Sequence, residues 1–315
     1  MRALLIVNPH ATSTTRLGRD VITRALASAV ELTVVETRYR GHAARLAGTA
    51  VRAGDGLVIT LGGDGTVNEA VNGMVGAGLA DTDRRTAASL PAFAPLPGGS
   101  ANVFTRALGL PADPVEATGR ILNGLAAGRD RTIGLGLAGD RCFTFNAGLG
   151  LDAEVVRLVE ALRAQGRPAT PGLYMRMALR QYYRVTDRRH PALSIEREGE
   201  PPIGPFFLGI FSNTAPWTYL RRRAVQTNPE AGFDSGLDVF ALRSLRTLGT
   251  FRALSQMLSG GERPPRGRHI VTLHDEAVLT VRASRPVAFQ VDGEYVGERE
   301  CVTFRSVPHA LRVII

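Results

Sequence analysis

A chain of 315 residues with 44% hydrophobic and 21% charged residues is long enough for two domains and a sizeable buried core, which excludes wholesale disorder and a polytopic membrane protein. Its formal charge is +9, and all 38 basic residues are arginine. Without lysine there is no Walker A lysine, no protein-kinase strand lysine and no Schiff base. Residues 3–7 form a continuous apolar run, as in a strand buried on both faces of a parallel sheet. A helical pattern at 17–30, a strand at 32–36, a helix at 42–52, a strand at 56–61, a helix at 67–74, a strand at 92–96 and a helix at 115–127 follow. This alternation predicts a doubly wound α/β domain, residues 1–131, whose ligands sit beyond the C-terminal strand ends. From 132 to 304 the runs shorten, at 141–146, 192–196, 206–212, 237–242, 270–273, 278–281, 287–291 and 301–304, and predict an antiparallel β-rich domain. Helical inserts are expected at 153–163, 173–183 and 248–258, and linker-like stretches at 166–172 and 260–268.

The strongest motif is Leu61-Gly62-Gly63-Asp64-Gly65-Thr66-Val67-Asn68-Glu69, where a buried strand gives way to a helix. Glycines let backbone amides approach phosphate oxygens, and the helix N-terminus adds a positive dipole end. A carboxylate inside an anion-binding loop repels phosphate unless Mg²⁺ lies between them, so Asp64 points to a metal–nucleotide complex. A bare Gly-Asp-Gly is otherwise a strand-to-helix turn with the aspartate as N-cap. Two further loops belong to the same sheet edge: Asn8 and Pro9 with Thr12, and Pro97-Gly98-Gly99-Ser100-Ala101-Asn102. Turn chemistry explains each loop singly; a nucleotide pocket explains all three together. Gly134 to Gly139 satisfy G-x-G-x-x-G spacing, but alternating residues follow instead of a helix, and a β-hairpin turn is the better reading.

The Gly62 to Glu69 run, the Asn8-Pro9 turn, and Pro97 to Asn102 followed by Phe104, Arg106, Gly109, Leu110 and Pro111 resemble the diacylglycerol kinase catalytic-domain family. The likeness is closest to bacterial soluble lipid kinases and more distant to sphingosine kinases and NAD kinases. It extends through Phe145 to Asp152, Asp234 to Asp238, and Asp292-Gly293-Glu294. It implies an ATP-binding α/β domain, a β-sandwich that holds the lipid, and a final strand, about 305–315, returning to the first domain. It further implies that Asn8, Pro9, Thr12, Thr37, Gly62, Gly63, Asp64, Gly65, Thr66, Asn68, Glu69, Gly98, Gly99, Ser100 and Asn102 line the ATP site. Glu294 becomes the base that takes the acceptor hydroxyl's proton, Asp292 assists Asp64 around the metal-bound phosphates, and Asp152 and Trp217 are substrate candidates. Without the resemblance, Asp292-Gly293-Glu294 reads as a solvated hairpin turn.

The implied activity is ATP-dependent phosphorylation of a hydroxyl on diacylglycerol or a related lipid, a step of phospholipid metabolism, with Mg²⁺ accompanying ATP. NAD kinase and a catalytically silent nucleotide- or lipid-binding regulator are the alternatives. Family members also carry a structural Mg²⁺ around an Asp-Asp-Gly turn; here that turn reads Asp234-Ser235-Gly236, and Gly134 stands where a further aspartate belongs, so this site is expected to be absent or weak. Arg176, Arg180 and Arg184 share one helical face beside Leu173, Tyr174, Met175, Met177 and Tyr183, which suits an anionic membrane surface and equally a solvated helix packed on the sandwich. The basic excess could equally come from a solvated surface; no nucleic-acid partner is expected, and a homodimer is admitted. Charge-free stretches at 86–105 and 201–220 are broken by prolines and asparagines and do not read as membrane spans. No signal-peptide cleavage region follows the first run, and Cys142 and Cys301 read as buried thiols of a reducing compartment, so the expected location is the cytoplasm with peripheral membrane association.

Overall fold

The computed structural model describes residues 1–11, 15–76, 87–165, 170–220 and 222–315. The first elements are β1 (Arg2–Val7), α1 (Arg16–Ala27), β2 (Glu31–Glu36), α2 (His42–Ala53), β3 (Leu57–Gly62), α3 (Asp64–Val75), β4 (Ala92–Pro97), α4 (Val103–Ala107) and α5 (Pro114–Ala126). There follow β5 (Asp130–Ala138), β6 (Arg141–Phe143), β7 (Asn146–Gly150), α6 (Leu151–Ala164), α7 (Pro171–Arg184), β8 (Leu193–Glu196), β9 (Ile203–Phe206) and β10 (Leu208–Ser212). The chain ends with β11 (Thr218–Leu220), β12 (Arg223–Val225), β13 (Leu237–Leu242), α8 (Thr247–Leu258), β14 (Ile270–Glu276), β15 (Val278–Val291) and β16 (Glu294–Ile314). Two compact units result, Met1–Leu135 with Val307–Ile315, and Gly136–Ser306.

In the first unit β2, β1, β3 and β4 pair side by side, all parallel, and Val313 near the end of β16 pairs with Phe93 of β4. Strands β3 and β4 are buried along their whole length, as a sheet covered by helices on both faces requires. Leu5, Ile59, Ala94 and Leu96 pack with Ile22 and Leu26 of α1 and with Ala117 and Ile121 of α5. The alternate residues Leu4, Ile6, Val58 and Phe93 are buried on the opposite face, where α2 and α3 pack. The edge strand β2 is largely exposed.

In the second unit β14, β13, β10, β7, β15 and β16 form an antiparallel run. The two runs expected at 278–281 and 287–291 are one strand of 14 residues, β15, which changes register between Arg282 and Val287. Its first half pairs with β8 through residues 280–283 and its second half with β7 through residues 289–291, so one strand serves two layers. Leu193, Ile195, Leu279 and Val281 from one layer meet Ala147, Leu149, Phe211 and Val239 from the other in a single core, the sandwich-like arrangement of the fold class. The expected strand at 206–212 breaks between β9 and β10 at Phe207, and that at 141–146 breaks at Thr144 and Phe145, whose amides leave the ladder for the Asp292 carboxylate. Gly139 and Asp140 turn the chain from β5 into β6, as the hairpin reading of that glycine run requires. Cys142 is buried, whereas Cys301 is exposed on β16, which corrects the expectation of two buried thiols. Among the described residues no helix is long and apolar enough to cross a membrane.

Candidate active site

In the first unit the loops after β3 and β4 meet through backbone contacts that only glycine permits. A Cβ on Gly98 would lie 2.7 Å from the Gly62 Cα, and one on Gly99 would lie 2.7 Å from the Gly63 Cα. The Gly98 amide donates to the Gly62 carbonyl at 2.7 Å, closing the two glycine pairs on each other. Gly63 caps α3 in extended conformation, so Asp64 is the first helical residue and not the N-cap. Its Oδ1 accepts the Phe104 amide of α4 at 3.2 Å, tying the Gly62–Gly63 loop to the Gly98–Asn102 loop. In the first turn of α3 the Thr66 and Val67 amides donate to the Gly63 carbonyl at 2.9 and 3.2 Å, and the helix N-terminus, with Gly65, brings its positive dipole end to the sheet edge, a geometry suited to phosphate.

Asn8 joins this cradle: its Nδ2 donates to the Thr66 Oγ1 at 3.1 Å, and its Oδ1 accepts the His10 amide at 3.0 Å. Pro9 and Thr37 are half-buried, and the Thr37 amide donates to the Val7 carbonyl at 2.8 Å. Asn102 is left-handed, with φ 48°, and its side chain both accepts from the Gly99 amide and donates to the Gly99 carbonyl at 2.8 Å, while Ser100 is exposed. Thr12 lies outside the described residues. Glu69 turns elsewhere: its two oxygens accept the Gly41 and Ala43 amides at 2.7 and 3.2 Å and cap α2. Asn68 is fully buried and accepts from Asn72 Nδ2 at 3.2 Å.

In the second unit Asp292 and Gly293 form the two-residue turn between β15 and β16, with φ 48° and 76°, and Val291 faces Glu294 across it. Two successive positive φ values are the signature of a type I′ hairpin, which favours an Asp-Gly pair. The turn is not solvated. Asp292 is 3% exposed, and its carboxylate accepts four bonds, from the Thr144 amide and hydroxyl at 2.7 and 2.8 Å and from the Phe145 and Asn146 amides at 3.0 and 3.2 Å. An ionised carboxylate offers about four lone-pair sites, so this one is fully used within its own unit. Glu294 is half-buried and ion-paired with Arg141 at 2.8 Å.

Asp152, at the start of α6, accepts from Gln290 Nε2 at 2.8 Å. Burial pushes its pKa up to about 6, against the lowering effect of that hydrogen bond. Trp217 contributes its carbonyl to Asn146 Nδ2 at 2.8 Å, and its side chain packs on the cluster that holds Tyr182, Leu208 and Ile210. Thr144, Asn146, Gln290 and Arg141 were not among the expected site residues. The legible signal was polar residues inside apolar strand runs, Asn146 before Ala147-Gly148-Leu149 and Gln290 between Phe289 and Val291.

At the Asp234-Ser235-Gly236 turn the Ser235 hydroxyl donates to the Gly232 carbonyl at 3.0 Å. Asp238 Oδ1 accepts from His274 Nδ1 at 2.8 Å and from the Asp275 amide at 3.1 Å, and Asp275 Oδ1 accepts the Gly236 amide at 2.6 Å. Among the described residues no three acidic, histidine or cysteine side chains gather as metal ligands.

The diacylglycerol kinase catalytic domain profile matches residues 2–132. Diacylglycerol kinase of Bacillus subtilis (strain 168) is 27% identical over 309 residues, covering 94% of this chain and 90% of that protein. A Chromohalobacter salexigens protein named as a YegS-like lipid kinase is 37% identical over 143 residues, 45% of this chain and 42% of its own. A solved diacylglycerol kinase structure from Bacillus anthracis str. Sterne shares the fold, with TM-score 0.68 and 18% identity over 99% of this chain and 96% of that one. Residues 2–132 thus match a diacylglycerol kinase catalytic domain, and over most of its length the chain is similar to a bacterial diacylglycerol kinase.

Proposed function

We propose that this protein transfers the γ-phosphate of ATP to a free hydroxyl of diacylglycerol or a related lipid. The observation that carries this reading is the backbone-on-backbone closure of Gly62-Gly63 on Gly98-Gly99 beside Asp64 at the start of α3. Such a cradle binds phosphates through amides, and its carboxylate faces the Mg²⁺ that enters with ATP as part of the substrate. Asn8 and Thr66 fix the loop after β1 against it. Ser100, exposed at the same edge, supplies a hydroxyl to the nucleotide.

Glu294 accepts the proton of the attacking hydroxyl, and Arg141 holds its carboxylate in place. Asp292 anchors the turn that presents Glu294 by accepting from four donors. Phosphoryl transfer asks the protein mainly for position and charge neutralisation, so a rigid base on an anchored hairpin suffices. The lipid reaches the enzyme from a membrane surface. α7 has no acidic residue, and Met175, Leu179 and Tyr183 stay exposed beside Arg176, Arg180 and Arg184.

Incubation of pure protein with Mg·ATP labelled in the γ-phosphate, a total lipid extract and, separately, NAD tests the reading. Label in an organic-extractable lipid is the expected result, and label in NADP or in no product overturns it. Metal analysis of dialysed, nucleotide-free protein is expected to find well under one divalent cation per chain.

A further inference from the structure

Three side chains of the second unit, Asp152, Gln290 and Asn146, form one chain of hydrogen bonds, ending on backbone groups of Gly293 and Trp217, whose direction is set at every link. Gln290 Nε2 donates to Asp152 Oδ2 at 2.8 Å and to Asn146 Oδ1 at 3.0 Å, and its Oε1 accepts the Gly293 amide at 2.9 Å. Asn146 Nδ2 donates to the Trp217 carbonyl at 2.8 Å, so its own amide has one sense as well. A reversed Gln290 amide would aim its oxygen at a carboxylate and its NH₂ at the N–H of Gly293. β7 makes room for this at Gly148, where a Cβ would fall 2.1 Å from Asp152 Oδ2 and 2.8 Å from Gln290 Nε2.

We propose that Asp152 and Gln290 are positioning residues: the Asp152 carboxylate fixes the sense of the Gln290 amide, and Gln290 thereby holds the Asp292-Gly293 turn that presents Glu294. The link to turnover rests on the proposed lipid-kinase reading; the positioning itself does not. Ionised Asp152 can only accept, which enforces one amide sense. Protonated Asp152 can also donate and no longer discriminates, which leaves the sense to the Asn146 oxygen and the Gly293 amide alone and weakens its hold. The change falls near pH 6, where burial places this carboxyl. The other charged groups around the relay are already paired. Across the turn Asp292 is held by Thr144, Phe145 and Asn146, and Glu294 by Arg141. On α6 itself Glu154 accepts from Gln181 of α7 and from Thr186, and Arg157 pairs with Glu298 of β16.

The sequence contains three Asp-Gly steps, 55–56, 64–65 and 292–293, so labelling aspartate carbonyl carbon and glycine nitrogen in the full chain isolates three amide signals. Asp55→Asn and Asp64→Asn remove two of them and assign Gly293 by elimination. In the wild-type protein the Gly293 signal is expected to shift with a midpoint near pH 6, and in Asp152→Asn it is expected to stay flat while Gly56 keeps its position. A Gly293 signal that does not titrate in the wild type, or titrates equally in Asp152→Asn, overturns the proposal. In kinase assays Asp152→Asn is expected to run about fivefold below the wild type at pH 7.5, the weight of about one hydrogen bond, with the KM for ATP unchanged. The wild type is expected to fall to the variant's level below pH 6, and an acid limb unaltered in the variant counts against the relay. Gln290→Glu, which removes the donor without changing shape, is expected to displace the Gly293 signal at all pH values. If Gly293 titrates as expected but no lipid is phosphorylated, the relay stands and the kinase reading falls.

Discussion

Asp64 holds the Phe104 amide with one oxygen, and asparagine keeps that acceptor while losing the charge. Asp64→Asn is therefore expected to melt with the wild type and to lose phosphoryl transfer by about 100-fold or more, as when a developing charge loses its partner; wild-type turnover in the folded variant would remove Asp64 from the site. Asp292 and Glu294, two residues apart, are expected to separate. Asp292→Asn turns an NH₂ toward amides that now donate to a carboxylate, and should cost about 2–4 kcal/mol in a urea midpoint. Glu294→Gln should cost under about 1 kcal/mol, yet lower kcat by about 10²–10⁴-fold with the KM for ATP unchanged. An equal loss of kcat and ATP affinity would make Glu294 structural. Asp152 has a folded-state pKa raised by burial from 3.8 to about 6. The folded state thus holds the proton more tightly than the unfolded chain, and the stability this contributes is full below about pH 4 and lost as pH rises through 6. Asp152→Asn is exempt, so its melting temperature relative to the wild type should be higher at pH 8 than at pH 5. Positioning the turn thus costs stability at the pH where the relay works.

Between elements, glycine divides into positions where a methyl group is excluded and positions where it is free. Gly73 of α3 lies so close to α2 that a Cβ would sit 2.0 Å from the Ala44 carbonyl oxygen, while one on Gly119 of α5 meets nothing within 4 Å. Gly73→Ala should destabilise by about 2 kcal/mol or more and Gly119→Ala should stabilise by about 0.5–1 kcal/mol, both read from urea midpoints. For α7, whose outer face joins three arginines to Met175, Leu179 and Tyr183, replacing Arg176, Arg180 and Arg184 with glutamine should weaken binding to anionic vesicles. It should also flatten the salt dependence, since such attraction is screened over about 8 Å at physiological ionic strength. Unchanged vesicle binding would leave the helix a solvated surface.

At the scale of the molecule, the first unit was legible because strands buried on both faces are unbroken apolar runs and phosphate loops write themselves in glycine. The second unit was legible only in pieces. β15 passes through Ser284, Arg285 and Pro286 as it moves between layers, and β16 carries charged residues at 298–300, so their apolar patterns are interrupted although their backbones are not. Asp292 read as solvated because its donors, Thr144 to Asn146, lie more than 140 residues away in the chain. The relay through Gln290 was hidden for the same reason. Synthesis adds a consequence to the division of β16. Phe93 of β4 takes its pairing from Val313, and Leu311 and Val313 are fully buried in a unit that otherwise ends at Leu135. While the ribosome makes the intervening 136–306, β4 keeps an unpaired edge, the kind of surface on which nascent chains aggregate. The first unit to emerge is the last to be finished, and a ribosome stalled short of residue 307 would display a half-built domain for chaperones or proteases to find.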